Sequence, residues 1–311
     1  MPMTLAESAK YSQEKLYPKV IEEILKVSYL LKRVPFIELN GTSLRVTYED
    51  VANPSTMAFY GANEQIVEST GQLLQKDFSL TRLMGDAQVD NMLRKSRSNP
   101  IDIMAEQLRL KSKALAHAFE TCVVYGGTGN EFNGLHASTI MASGQIIKEA
   151  TDATPLVLEA PHLDELVDKV AISGKPDVLL MNRQMLRTLT QYLRGKSMYQ
   201  DSRDEYGDYW VVWNGVPIAV TDFITSTELC DGSGDFSAKT GGVGTSIFAL
   251  RFGAGDGLCG IQSGNIVTEQ FGRLEDYDGT KVRMKWYCGM ALYASTAVAV
   301  IQNINPALAI S

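Results

Sequence analysis

The sequence predicts an α+β chain, with one long rigid helix set between an extended two-stranded ribbon and an α/β section that ends in a β-hairpin. Three observations predict it. The run "SNPIDIMAEQLRLKSKALAHAFETCVVYG" keeps a helical apolar stripe for about seven turns. Ahead of it, two extended runs bracket some twenty breaker-rich residues, and behind it helical and strand periods alternate.

Taken in order, residues 5–33 read as an amphipathic arm with Leu16, Val20, Ile24, Val27 and Leu31 at three- and four-residue steps. Pro18 interrupts it and Pro35 ends it. "TSLRVTYEDV" then alternates strictly, Leu44, Val46 and Tyr48 against Arg45, Thr47 and Glu49, as a half-exposed strand does. "ANPSTMAFYGANEQIVESTGQ" scatters Pro, Gly, Asn and Ser between few apolar residues, and "LLQKDFSLTRL" returns as a second strand. The result is a long tongue, a form that is marginal unless it lies on something else.

The long helix has Ser98 or Asn99 as N-cap, Pro100 in its first turn and Asp102 where the helix dipole favours an anion. Its stripe is Ile101, Met104, Leu108, Leu115, Ala118, Phe119 and Cys122, interrupted at Lys111, and it stops at Gly126. Next, "HLDELVDKVAIS" is helical through Leu163, Leu166, Val167 and Val170. "PDVLLMN" is a buried strand, and "RQMLRTLTQYLRG" is helical through Met185, Leu186, Leu189, Tyr192 and Leu193. "DYWVVWNGVPIAVTDFI" is a hairpin whose Asn214-Gly215 turn suits type I′. Residues 226–244 read as loop, and "TSIFALRFG" as a strand. "NIVTEQFGRL" and "TKVRMKWYCG" are strands joined at Asp278-Gly279, the second exposing a cationic face of Lys281, Arg283 and Lys285. An apolar stretch, "MALYASTAVAVIQNI", comes last.

The 311 residues, 45% of them hydrophobic, suffice for one large or two moderate cores. No apolar run reaches the roughly 20 residues of a membrane helix, and the N-terminus lacks a signal-peptide core, so a cytosolic site of synthesis and assembly is expected. Cys122, Cys230, Cys259 and Cys288 are scattered without a CxxC pair and read as idle buried thiols. A net charge of −7 without a Lys/Arg stripe argues against gripping nucleic acid; DNA would be confined, not held.

Motifs for turnover fail on context. "TQYLRGKS" offers Gly195, Lys196 and Ser197 but has Thr190 where a phosphate-binding loop needs Gly, and it ends a helix. "GDGLCG" spaces Gly255, Gly257 and Gly260 as a dinucleotide fingerprint, yet the segment behind it is β-rich and supplies no helix N-terminus. His117, His136 and His162 lack metal-ligand spacing, and the Asp231–Asp235 loop lacks the twelfth-position Glu of a calcium loop. No cofactor, metal or catalytic residue is expected, and the chain is read as structural.

In this order, arm, tongue, strut helix, "GGTGNEFNGL" turn, α/β section and closing hairpin, the chain resembles the major capsid proteins of tailed bacteriophages with the Hong Kong 97-like fold. The turn Gly127, Gly129, Gly134 and Leu135 carries the likeness, with "DVLLMNRQMLRTL" and "NGVPIAVTDFI". The resemblance implies an N-terminal arm (1–34), an extended E-loop (35–85), a peripheral domain (86–135 and 257–289) around a spine helix of about 100–125, and an axial domain (136–256 and 290–311). It implies pentamers and hexamers closing an icosahedral shell around double-stranded DNA, a virion location, and a separate scaffolding protein or scaffold-free assembly, with a portal and a possible decoration protein. Gly126, Gly127, Gly129 and Gly134 would be the hinge from strut to axial domain, using positive φ angles. Arg45, Glu49, Glu64, Glu68 and Lys76 would meet opposite charges on neighbours, including Lys281, Arg283 and Lys285, or remain solvated charges. Lys76 lies in the loop that some relatives cross-link, but no Asn partner or catalytic Glu is marked, so no cross-link is expected. The rival readings are an encapsulin-type compartment shell and, from another class, a nucleotide-dependent enzyme using "GDGLCG".

Overall fold

The computed structural model describes residues 30–49, 57–92, 103–148, 155–170, 175–195, 201–203, 209–231, 235–273 and 278–306. The expected arm lies outside these except for a short helix, α1 (Leu30–Arg33), whose Leu30 is buried. The expected cap residues Ser98, Asn99, Pro100 and Asp102 also lie outside them.

Two sheets organise the chain. The first joins β1 (Phe36–Glu38), β13 (Leu258–Gln262), β15 (Gly279–Leu292) and β14 (Val267–Arg273) in that order, with β4 (Thr81–Asp90) also paired to β15. Alternation explains it: in β15, Val282, Met284 and Trp286 turn inward while Lys281, Arg283 and Lys285 turn outward. The long helix α2 (Ile103–Tyr125), 23 residues and about 34 Å, packs on the inner face. Phe119 anchors it, its ring 4.8 Å from Trp286, 5.9 Å from Phe36 and 5.6 Å from Phe132.

The expected stripe on α2 needs correction. Ile103, Leu115, Phe119, Glu120, Val123 and Val124 are buried, whereas Ala118 is exposed. The C-terminal half is enclosed on two sides, by the sheet and by residues 132–141, so its buried face widens beyond a simple stripe.

The second sheet has seven strands in the order β5 (Ile146–Ile147), β16 (Val298–Ile304), β12 (Thr245–Leu250), β6 (Val178–Met181), β9 (Val216–Val220), β8 (Tyr209–Trp213) and β7 (Asp201–Arg203). Its central strands β6, β12 and β16 are buried at every position; β6 reads as an unbroken apolar run, whereas Thr245 and Ser246 open β12 and Gln302 and Asn303 lie within β16. One face carries α3 (Ala160–Lys169) and α4 (Arg183–Gly195) through Leu163, Leu166, Met185 and Leu189. The other joins the core beneath α2. The β8–β9 turn is type I′ as expected, with φ of 48° at Asn214 and 80° at Gly215. Within the expected loop 226–244, a small hairpin forms from β10 (Leu229–Cys230) and β11 (Phe236–Ala238).

The ribbon is β2 (Ser43–Glu49) paired antiparallel with β3 (Leu73–Ser79). It ends earlier than the sequence suggests, because Thr81 onward is already in the first sheet as β4.

Candidate assembly surfaces

The ribbon has two unlike ends. At its base, Val46 and Phe78 are buried in the chain's own core, and Tyr48 donates its hydroxyl hydrogen to Leu292 O. Burial, with Cys259 nearby, pushes the Tyr48 phenol up to about 12, so it stays a donor. At the tip everything from Met57 to Gly71 is exposed, including Met57, Phe59, Ile66 and Val67, with Leu73 and Leu74 just below. A monomer exposes scattered apolar groups routinely, but six of them, Met57, Phe59, Ile66, Val67, Leu73 and Leu74, fall on this one ribbon.

Three of the expected intersubunit charges on the ribbon have partners within the chain. Arg45 forks onto Asp77 at 2.7 and 3.0 Å, directly across the ribbon. Lys76 donates to Thr139 O at 3.0 Å and lies 5.4 Å from the Tyr48 ring, fastening the ribbon to the chain's own body. Glu64 accepts from Gly61 N at 2.6 Å and shapes the tip, where Glu68 is exposed. Glu49 sits opposite Leu73 in the register, and its side chain is outside the described residues.

The expected cationic face of β15 also changes. Asp86 on β4 stands opposite Arg283 and accepts from it at 2.7 and 2.9 Å, while Lys281 reaches the same carboxylate at 2.6 Å. Lys285 pairs with Glu269. Cross-strand register thus shares two carboxylates among three cations, and the exposed Met84, Val267 and Phe271 flank them. The counter-charge was hidden in "TRLMGDAQVD", whose alternation of Leu83, Ala87 and Val89 against Arg82, Met84 and Asp86 marks a strand.

Hydrogen bonds from Arg283 first, and from Lys281, hold the Asp86 carboxyl well below the usual carboxylate range. A carboxylate depressed in the folded state contributes stability that is present above its unfolded value, about 3.9, and is lost as pH falls through its folded value. Asp86→Asn is therefore expected to lower the thermal midpoint at neutral pH, with the gap to wild type closing below about pH 4. Parallel melts at the two pH values check it; a gap independent of pH would assign the loss to packing.

The glycine turn is a helix terminus built by close approach. After α2, residues 132–136 run back along it: Gly134 N donates to Gly126 O at 3.0 Å, Leu135 N to Val123 O at 2.7 Å and His136 N to Val124 O at 3.3 Å. These bonds satisfy helix carbonyls that would otherwise be orphaned. Of the expected hinge glycines, Gly127 and Gly129 have positive φ, 125° and 66°. Gly126 and Gly134 do not; they are needed because a Cβ at either would collide with backbone.

"GDGLCG" opens strand β13, and Gly260 packs under the Phe36 ring while its N–H donates to Pro35 O at 2.8 Å. Among the described residues no helix starts behind this turn, so the dinucleotide reading has no seat for a pyrophosphate. Among the described residues, too, no group of three or more His, Cys, Asp or Glu is placed to hold a metal, and no helix is long and apolar enough to cross a membrane. None of the four cysteines forms a disulfide, and burial above all pushes the Cys122 and Cys288 thiols up to about 12 and Cys259 to about 11.

A polar cluster that the sequence did not reveal sits where α2 meets the second sheet. Tyr125 donates to Glu228 Oε1 at 2.5 Å and Ser246 donates to Glu228 Oε2 at 2.5 Å, with His136 Nε2 3.7 Å from Oε1. Burial first, then the Glu228 charge, push the Tyr125 phenol up, so it remains protonated.

No protein-family profile and no curated protein matches the sequence. Solved structures do match over nearly the whole chain. The encapsulin of Synechococcus elongatus aligns with a TM-score of 0.71 at 17% identity, over 99% of this chain and 98% of that one. The capsid of a native GTA particle aligns at 0.66 with 11% identity, over 96% and 98%. The chain has the Hong Kong 97-like capsid fold. Mycobacterium phage Ogopogo gives a TM-score of 0.61 at 13% identity, over 96% of this chain and 99% of that one. Within the capsid fold of this chain, the ribbon, the long helix and the glycine turn succeed one another in the order the sequence predicts.

Proposed function

We propose that this chain is a shell subunit that assembles with copies of itself into closed particles. The observation that carries the reading is the ribbon: its base is built into the subunit's own core, while its tip is apolar and uncovered. An element held so firmly at one end and left bare at the other is suited to reach a neighbour. Repeated around a ring, such a head-to-tail contact closes where the rotation allows, and many modest contacts add up.

The tip's place in this reading is the outer face of a neighbouring copy's first sheet. Residues 57–72 carry Glu64 and Glu68 and no basic residue, while that face shares two carboxylates among Lys281, Arg283 and Lys285 between apolar Met84, Val267 and Phe271. Residues of the first sheet and α2 then form the peripheral domain, and the seven-stranded sheet with α3 and α4 the axial domain that meets its copies in pentamers and hexamers.

The contents distinguish two forms of this function. The principal reading is a phage major capsid protein enclosing double-stranded DNA; the 0.71 TM-score to an encapsulin favours, as a second, a compartment shell around a protein cargo. Expression followed by electron microscopy is expected to give closed particles. Nuclease-protected DNA in particles from the native source supports the first reading, and a stoichiometric protein guest supports the second. A monomer at high concentration with no particles under any assembly condition overturns both.

A further inference from the structure

His136 has a buried imidazole, its side chain only 3% exposed, and neither ring nitrogen has a hydrogen-bond partner. Neutral imidazole carries one N–H that needs an acceptor, so a buried ring without one is an exception that asks for a reason. Its surroundings are specific. The ring lies between Tyr125 of α2, centroids 5.5 Å apart at 8°, and Phe236 of β11, 3.9 Å apart at 19°, with the edge of Phe248 of β12 at 5.0 Å. Among the described residues the charge within its reach is Glu228, whose side chain is 0% exposed and which takes hydrogen bonds from Tyr125 and Ser246. Farther out, Lys239 lies 5.7 Å from the Tyr125 ring centroid, and Lys148 pairs with Asp235, next to Phe236, at 2.6 Å.

We propose that His136 is the moving part of a proton-operated latch, in which the protonated imidazole closes onto Glu228 Oε1 and adds, beside the Tyr125 bond, a second tie between the end of α2 and the β10–β11 hairpin. Oε1 accepts one bond from Tyr125 and has a second lone pair to offer. The present 3.7 Å exceeds hydrogen-bond range by less than an ångström, so a small tilt of the ring completes the bond. Protonation supplies the drive: it adds an N–H and a positive charge beside a carboxylate screened from water, where charge-assisted bonds are strong. Imidazole is the side chain whose charge ordinarily changes between about pH 5 and 8. Because Glu228 precedes β10 and Phe236 of β11 rides on the ring, closing the bond restrains that hairpin. The latch operates within one subunit, whether or not that subunit builds a shell.

Amide hydrogen exchange of the full-length protein tests it, compared at about pH 8 and about pH 5.5 after correction for intrinsic rates. Peptides covering β10 and β11 are expected to gain about tenfold protection at the acid end, the effect of one charge-assisted bond. His136→Gln and Glu228→Gln are expected to give flat profiles. A flat wild-type profile overturns the latch, as does a pH response that survives in folded Glu228→Gln. Should both variants fail to fold, exchange at the His136 ring C2 position in wild type decides: titration in step with hairpin protection supports the latch, and absence of titration overturns it.

Discussion

Changing Phe59, Ile66 and Val67 together to aspartate will leave a folded subunit that forms no particles. All three are exposed, and among the described residues none belongs to the buried core or packs against it, so circular dichroism and the thermal midpoint should match wild type. Assembly is another matter. Full burial of each such side chain is worth about 1.5–3 kcal/mol, so three of them represent roughly 5–9 kcal/mol per tip contact. A shell repeats that contact at every subunit, and three new carboxylates would each resist desolvation. Size-exclusion chromatography and negative-stain micrographs give the readout. Particles of normal yield would sink the docking of the tip. The control is Phe78→Ala at the ribbon's base: its side chain is in the subunit's own core, and its loss should cost about 3–5 kcal/mol of folding stability before assembly is reached.

Gly134→Ala and Gly126→Ala are expected to be the most damaging small substitutions in the glycine turn. A Cβ at 134 would stand 2.5 Å from Gly126 N and 2.6 Å from Cys122 O; at 126 it would overlap Phe132 O and Cys122 O and lie 2.6 Å from Cys122 Sγ. The obstacles are mostly backbone, which cannot step aside without breaking the bonds from Gly134 and Leu135 that finish the long helix. A loss of about 3 kcal/mol or more is expected for each, the upper range for overpacking plus lost hydrogen bonds. Gly129→Ala is the contrast: its added Cβ meets nothing within 4 Å, and only the left-handed φ of 66° opposes it, at about 1–2 kcal/mol. Urea midpoints of the three variants give the order. Equal losses at 126, 129 and 134 would mean that backbone conformation, not contact, dictates glycine throughout the turn.

These glycines mark the reach of a sequence pattern. Four glycines after a helix announce a change of direction, but which of them serves φ and which serves contact depends on residues 132–136 folding back on α2. The order of elements was legible because each segment has its own period, and the unbroken apolar β6 declared a buried strand. The ribbon was legible as strands, but not where it lies: alternation shows that Val46 and Phe78 each belong to an apolar face without saying whether that face meets the chain's own body or another's. The cationic ladder was legible in its cations and not in their partners, for a related reason. Lys281, Arg283 and Lys285 are evident in sequence, whereas their counter-charges arrive by cross-strand register, Asp86 from β4 and Glu269 from β14. The Tyr125–Glu228 bond joins residues 103 positions apart, and no local pattern could have signalled it.

Strand β15 ends at Leu292 and the chain enters β16 at Val298 after only five residues, so the two sheets are spliced by a short covalent link. Tyr48 of the ribbon grips the carbonyl at that splice. A tug on the ribbon is therefore delivered to the point where both sheets are anchored, and tension can spread through the body without first bending the long helix. In the shell proposed above, internal pressure would then load β15 and β16 directly, in the manner of a tie rod.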